Sequence, residues 1–124
     1  MTDRAPGVPV ILDAPRIAAE TANRLAASLN SADLNVNLLV LDAAATIAEH
    51  VNSEVDVFIV AIAGQGEITV DGQPCPLIAG QALVIAKGAR RSIRPVSDRF
   101  AYLTCHRTRA GLWPKPTSRR PECA

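Results

Sequence analysis

The stretch VDVFIVAIAGQGEITVDG, residues 55–72, decides the fold class of this chain. It opens with a nearly continuous apolar run, Val55 to Ala63, which is rich in β-branched residues and typical of a buried strand. Gly64-Gln65-Gly66 interrupts this run before Glu67 to Val70 resumes it. Asp71-Gly72 is a strong two-residue hairpin signal. The stretch therefore predicts strand, interruption, strand and tight turn, which indicates an antiparallel β protein.

Short strand patterns continue on both sides of this stretch. The pattern expected of a half-buried strand covers residues 34–41, in which one set of alternate positions is apolar and the other begins with two asparagines: Leu34, Val36, Leu38 and Val40 against Asn35, Asn37, Leu39 and Leu41. After the hairpin, the turns contain Gly80 and Lys87-Gly88-Ala89, and a further turn is expected at Ser97-Asp98-Arg99. The predicted strands between and after these turns are Pro76–Ala79, Ala82–Ala86, Ser92–Val96 (weakened by Pro95) and Phe100–His106. Strands at this spacing predict a β-sandwich or barrel.

The N-terminal segment, residues 1–33, reads differently. Asp13 followed by Pro15 is typical of a helix N-cap with proline in the first turn. Apolar residues then recur at three- and four-residue spacing, which predicts one helix over about residues 15–29. Since most of this stripe is alanine, we expect the helix to cover a sheet face or a subunit contact.

Length and charge narrow the protein class. The 124 residues fit one domain, which we expect to be a barrel over residues 34–106. A Pro/Arg-rich tail, residues 107–124, follows it. We expect this tail to be extended or disordered, except where Trp113 packs against the barrel or a neighbouring subunit. A net charge of +1 is too small for the electrostatic footprint of nucleic-acid or anionic-membrane binding. Without a long apolar run or paired cysteine motifs, we expect a cytoplasmic protein with free thiols.

Two groups of residues resemble the motifs of the cupin family. His50-Val51-Asn52, Asp56 and Gly64 resemble the first motif, in which two histidines precede an acidic residue and a closing glycine. Gly80, Ala86-Lys87-Gly88 and Arg91 resemble the second motif. The family has a proline where this chain has Ala86, and a third histidine where this chain has Arg91. The resemblance covers about residues 34–106. It implies an all-β, RmlC-like double-stranded β-helix (jelly-roll) barrel, here with one N-terminal α-helix, and a homodimer.

The resemblance also implies where a metal would bind. In metal-binding cupins, three histidines and a carboxylate at these positions bind a divalent ion, commonly iron or manganese. This chain has His50, Asn52, Asp56 and Arg91 there. A guanidinium has no acceptor atom and keeps its proton near neutral pH, so Arg91 repels a cation. We therefore favour no cofactor; the alternative is an atypical Fe, Mn, Ni or Zn site formed by His50, Asn52 and Asp56.

The same positions suggest a metal-free pocket. Residues two apart on a strand share a face, so His50 and Asn52 should face the interior, close to Asp56 and Arg91. Arg91 then forms an ion pair with Asp56, or one of Arg90, Arg91 and Arg94 presents its charge to a small anionic ligand in the barrel mouth. Alternation places Arg91 and Ile93 on one face and Arg90, Ser92 and Arg94 on the other.

These residues leave three functional hypotheses open. The first is a protein that binds a small, possibly anionic, ligand through His50, Asn52, Asp56, Arg91, Tyr102 and His106. The second is a cupin enzyme, either metal-dependent and dioxygenase- or isomerase-like, or metal-free with His50 as the candidate general base. The third is an assembly module.

Overall fold

The computed structural model describes residues 9–22 and 24–108. These residues form one helix and seven antiparallel strands, which confirms the predicted all-β class with an N-terminal helix. The elements are α1 (Ala14–Glu20), β1 (Arg24–Asn30), β2 (Leu34–Asp42), β3 (Ile47–Val51), β4 (Val57–Val70), β5 (Gln73–Ile78), β6 (Ala82–Ile85) and β7 (Arg90–Arg107). No helix in the described residues is long and apolar enough to cross a membrane.

Two long strands, β4 and β7, organise the barrel. They pair with each other over most of their length, in the sheet order β1-β2-β7-β4-β5. The first half of β7 also pairs with β3 and its second half with β2, whereas β4 pairs first with β6 and then with β5. Both long strands therefore run through two layers: β1, β2 and β6 extend one layer, and β3 and β5 extend the other.

Two glycines let β4 turn the corner between the layers. The pairing register of β4 and β7 shifts between Ala61 and Ala63 and again between Gly64 and Gly66. Gly64 has φ +78°, a left-handed conformation, and a Cβ there would overlap the carbonyl oxygen of Arg99. A Cβ on Gly66 would overlap the ring of Phe100. The bulges and glycines bend the strand without ending it.

The core lies between the two layers. Leu39 and Ile59 from one layer pack in the same buried cluster as Ile68 and Ile93 from the other, each with at most 2% of its surface exposed. The rings of Phe100 and Tyr102 stack in this cluster with centroids 5.2 Å apart. This core is enclosed by one continuous sheet, because β4 and β7 run through both layers.

Helix α1 covers part of the outer face of the barrel. Asp13 caps the helix by accepting a hydrogen bond from the Arg16 backbone N–H at 3.4 Å, as predicted. Ala18 packs against Val40 and Ala101, where small side chains allow close approach. The Arg99 guanidinium donates to the carbonyls of Ala18 and Thr21, so β7 holds the C-terminal end of the helix.

The prediction of a helix over residues 15–29 was wrong in its extent. α1 ends at Glu20, Thr21 is extended (φ −107°, ψ 136°), and residues 24–30 form the edge strand β1. The alanine-rich stripe buries little apolar surface as a helix. Leu25, Ala27 and Leu29 also alternate with a period of two, and pairing with β2 supplies a full backbone ladder. After Thr21, pairing with β2 as a strand is therefore more favourable than continuing the helix.

Two predicted interruptions are also absent. Gly64-Gln65-Gly66 lies inside β4, and the turn expected at Ser97-Asp98-Arg99 lies inside β7. The Ser97 hydroxyl accepts from the Gln65 N–H at 2.9 Å and donates to the Arg99 carbonyl at 2.6 Å, which stabilises a bend rather than a turn. The expectations for the tail, including Trp113, fall mostly outside the described residues.

Candidate functional site

Arg91 lies at the centre of the candidate site. As predicted, alternation along β7 places Arg91 and Ile93 inward, with 0% and 1% of their surfaces exposed. The Arg91 Nε donates to the Ala89 carbonyl and Nη2 to the Ala86 carbonyl, both at 3.2 Å. Nη1 is buried without a hydrogen-bond partner in the described part of the chain. The guanidinium therefore supports the 86–89 turn on one side and retains an unused donor.

Burial disfavours the charge of Arg91. Desolvation lowers the pKa of the guanidinium from its ordinary value, while the Asp71 carboxylate opposes this effect and raises it. Desolvation is the larger effect, so the interaction with Asp71 does not fully compensate for burial.

The ion pair considered between Arg91 and Asp56 does not form. The Asp56 side chain is exposed, and its Oδ1 accepts from the Lys87 backbone N–H at 2.8 Å. Its neighbours Val55 and Val57 are the inward residues, with 1% and 0% exposed. The turn after Asn52 shifts the alternation by one residue, so Asp56 points away from the guanidinium.

Asn52 is buried as predicted, but it is a turn residue beyond the end of β3. Its Oδ1 accepts from the backbone N–H groups of Glu54 at 3.0 Å and Val55 at 3.3 Å. Its carbonyl accepts from the Gly88 N–H at 2.8 Å. Its Nδ2 is buried with no partner among residues 9–22 and 24–108. Asn52 therefore contacts the same 86–89 turn as Arg91 and also has an unused donor.

His50 is half-buried and paired in register with Arg91. Its Nδ1 lies 3.0 Å from the Ala48 carbonyl, so the ring proton at Nδ1 donates to that oxygen. This leaves Nε2 as the basic nitrogen of the neutral ring. A role for His50 as a general base stays a prediction.

The residues named for a metal do not fit one. The described chain contains no cluster of three or more His, Cys, Asp and Glu side chains placed to hold an ion. Asn52 Oδ1 and Asp56 Oδ1 already accept backbone hydrogen bonds, and Arg91 brings a positive charge to the third histidine position. We derive no chemistry through a metal at this site.

A second polar wall faces the interior from β2 and β7. Thr104 and His106 follow Tyr102 on the inner face of β7 and are 0% and 6% exposed. Asn37 on β2 pairs with Thr104 and is 7% exposed. The structure thus places the predicted pocket residues Tyr102 and His106 inward, while their binding roles stay predictions. The sequence did not single out Asn37 as an inward polar residue because its strand partner was unknown, and Thr104 served only to set the register of His106.

The loop 52–56 joins the two walls. On one side it contacts the β6–β7 turn through Asn52 and Asp56. On the other side, the Arg107 Nη2 donates to the Glu54 carbonyl at 3.2 Å, next to His106. Both polar walls therefore meet at the same end of the barrel.

The other two arginines of the cluster lie outside, as alternation predicted. Arg90 pairs with Glu49 at 3.3 Å and Arg94 with Glu67 at 3.0 Å, and both arginine side chains are more than half exposed. Such exposed pairs contribute about 0–1 kcal/mol. Within this cluster, Arg91 alone faces the interior.

A separate open groove of about 520 Å³ lies beside β1. Val10–Leu12 and Leu25–Asn30 line it, without a charged side chain. Its lining is mostly apolar, so the polar end of the barrel is the better candidate for recognition of an ion.

These features define a small antiparallel barrel with a polar interior end, and solved structures share its architecture. A protein from Bacillus halodurans matches with a TM-score of 0.72 and 17% identity, over 94% of this chain and 92% of that one. An RmlC-like cupin with a double-stranded β-helix fold from Methanocaldococcus jannaschii matches at 0.60 and 17%, over 71% and 84%. A cupin protein from Bacteroides fragilis matches at 0.55 and 29%, over 68% and 73%.

No protein-family model and no curated protein matches the chain. The structural matches are sufficient to establish the architecture. The chain has the cupin fold, an RmlC-like double-stranded β-helix barrel, which confirms the resemblance drawn from the two sequence motifs.

Proposed function

We propose that this barrel binds a small anionic molecule through Arg91 and Asn52, without a catalytic metal. The observation that carries the proposal is a pair of buried donors, Arg91 Nη1 and Asn52 Nδ2, for which the described chain supplies no acceptor. Both residues contact the 86–89 turn. An unsatisfied buried donor costs about 1–3 kcal/mol, and more when it is charged. A ligand with acceptor oxygens removes that cost.

The charges of the site favour an anion over a neutral ligand. The Arg91 side chain donates to neutral carbonyls, and no carboxylate of the described residues lies within 4 Å of its guanidinium. A carboxylate or phosphate oxygen provides the opposite charge, and Arg binds such groups through two parallel hydrogen bonds. Asn52 can then donate to a further oxygen.

The 86–89 turn is the natural entrance. Ala86, Lys87 and Gly88 are exposed, so this turn separates the buried guanidinium from solvent. Gly88 has φ +89° and open space where a Cβ would stand. Movement of this turn would give an anion access to the Arg91 guanidinium, and the Lys87 ammonium adds positive charge at the entrance.

Isothermal titration calorimetry with inorganic phosphate and with acetate tests the proposal. Arg91→Met removes the charge at similar length, and Arg94→Met on the outer face of the same strand is the matched control. We expect binding to weaken at least about tenfold in Arg91→Met, since a hydrogen bond to a charged group contributes about 1.5–3 kcal/mol. Binding should be unchanged in Arg94→Met.

The thermal unfolding temperature is measured with chloride and with phosphate or acetate at equal ionic strength, so that a rise caused by specific binding is distinguished from an effect of salt. This measurement can also be made on a variant that is less stable than the wild type. If wild-type protein binds neither anion, or if Arg94→Met loses binding as Arg91→Met does, the proposal fails. The metal-dependent enzyme remains the alternative function, but the engaged oxygens of Asn52 and Asp56 give it no support.

A further inference from the structure

The second polar wall, formed by Asn37, Thr104 and His106, carries further hydrogen-bonding groups that face the interior. Thr104 is 0% exposed, and its Oγ1 has no hydrogen-bond partner within the described residues. Strand pairing places it between Asn37 on β2 and Ile59 on β4. A buried hydroxyl without a partner is uncommon, and it can both donate and accept.

The amide of Asn37 is fixed from the side away from Thr104. The Ser28 hydroxyl on β1 donates to Asn37 Oδ1 at 2.7 Å. β2 lies between β1 and β7, so Ser28 and Thr104 flank Asn37 on opposite sides. With Oδ1 engaged by Ser28, the other hydrogen-bonding group of the Asn37 amide is the Nδ2 donor.

His106 contributes an acceptor. Its Nδ1 lies 2.8 Å from the Arg107 carbonyl, so Nδ1 carries the proton that donates to that oxygen. In the neutral ring the lone pair is then on Nε2. The wall therefore presents an amide donor, a hydroxyl and a ring acceptor, all without formal charge. The Nε2 lone pair disfavours a second anionic group and suits a ligand hydroxyl, which donates to one group and accepts from another.

We infer that the ligand is a short hydroxycarboxylate, whose carboxylate binds Arg91 and Asn52 while its hydroxyl binds Thr104, Asn37 and His106. This inference rests on the proposed anion binding. Arg91 and the wall formed by Asn37, Thr104 and His106 lie at the same end of the barrel, because loop 52–56 contacts the 86–89 turn on one side and Arg107 on the other. We therefore place the ligand hydroxyl one or two carbons from the carboxylate.

Two probes that differ by one hydroxyl test this inference. Propionate and lactate (2-hydroxypropionate) are titrated into wild-type protein and followed by backbone amide NMR shifts, which report weak binding. We expect lactate to bind at least about tenfold more tightly than propionate, which corresponds to one well-formed polar interaction.

Thr104→Val replaces the hydroxyl with a methyl group of the same shape. We expect it to reduce the lactate preference to less than about threefold and to leave propionate binding unchanged. Thr69→Val is the matched control, because Thr69 is a half-buried β4 residue outside both walls. It should retain the full preference. Since Thr104 Oγ1 has no partner to lose, the valine variant should fold, which its unfolding midpoint checks.

The outcomes separate the two proposals. If lactate and propionate bind equally, or if Thr104→Val keeps the preference, the hydroxyl assignment is wrong while anion binding stands. If a lactate-soaked crystal shows water alone between Thr104 and Asn37, the assignment is also wrong. If neither carboxylate nor phosphate binds wild-type protein, both proposals fail together.

Discussion

Replacing Gly64 with alanine should destabilise the protein far more than the same change at Gly72. Both glycines have positive φ, +78° and +83°, so alanine strains the backbone at each position by about 1–2 kcal/mol. At Gly72 a Cβ meets nothing within 4 Å. At Gly64 it overlaps the Arg99 carbonyl and lies 2.8 Å from the Ser97 hydroxyl. That carbonyl is backbone and accepts the Ser97 hydrogen bond, so it cannot move independently.

The steric overlap should add about 1–3 kcal/mol, the usual cost of overpacking. We therefore expect Gly64→Ala to lose about 2–5 kcal/mol of unfolding free energy, and Gly72→Ala about 1–2 kcal/mol. Urea denaturation followed by far-UV circular dichroism measures both values by linear extrapolation. The loss of backbone freedom in the unfolded chain is the same for both changes and cancels in their difference. If the losses of unfolding free energy in Gly64→Ala and Gly72→Ala differ by less than about 0.5 kcal/mol, the close contact between Gly64 and Arg99 at the bend of β4 is contradicted.

Four further predictions follow from the site and the core. Asp56→Ala should cost only about 0.5–1.5 kcal/mol, because one exposed carboxylate oxygen binds one amide; a loss of 3–5 kcal/mol in urea denaturation would instead indicate a buried partner of Arg91. Phe100→Ala should cost about 3–5 kcal/mol by the same assay, since the ring is 0% exposed, and a loss under 1 kcal/mol would contradict its core position. Titration with Fe, Mn, Ni and Zn should give no stoichiometric tight binding. Tight binding that is abolished by His50→Ala would contradict the proposal of a metal-free site. The homodimer expected from the sequence stays a prediction, which a stable monomer in light scattering over a wide concentration range would contradict.

Local rules predicted the features that depend on neighbouring residues. Asp71 and Gly72 both adopt positive φ, +48° and +83°, in the predicted two-residue hairpin. Alternation correctly placed Arg91 inward and Arg90 outward, because both lie within one uninterrupted strand. These positions needed no knowledge of distant parts of the chain.

The misses came from long-range effects. The end of α1 is fixed by Arg99, which binds Thr21 across 78 positions of sequence. The face of Asp56 depends on the turn at Asn52, which shifts the alternation between β3 and β4. Thr104 and Asn37 form one wall because β2 pairs with the end of β7, a register that alternation alone does not provide.

The passage of β4 and β7 through both layers determines how the pocket can move. Because the same two strands run through both layers, the layers share covalent chain and cannot separate about a hinge as two independent sheets can. The barrel itself should remain rigid during binding. Opening is left to the connections at the polar end, residues 52–56 and 86–89, so the rate of ligand entry should depend on these two short segments rather than on any motion of the sheets.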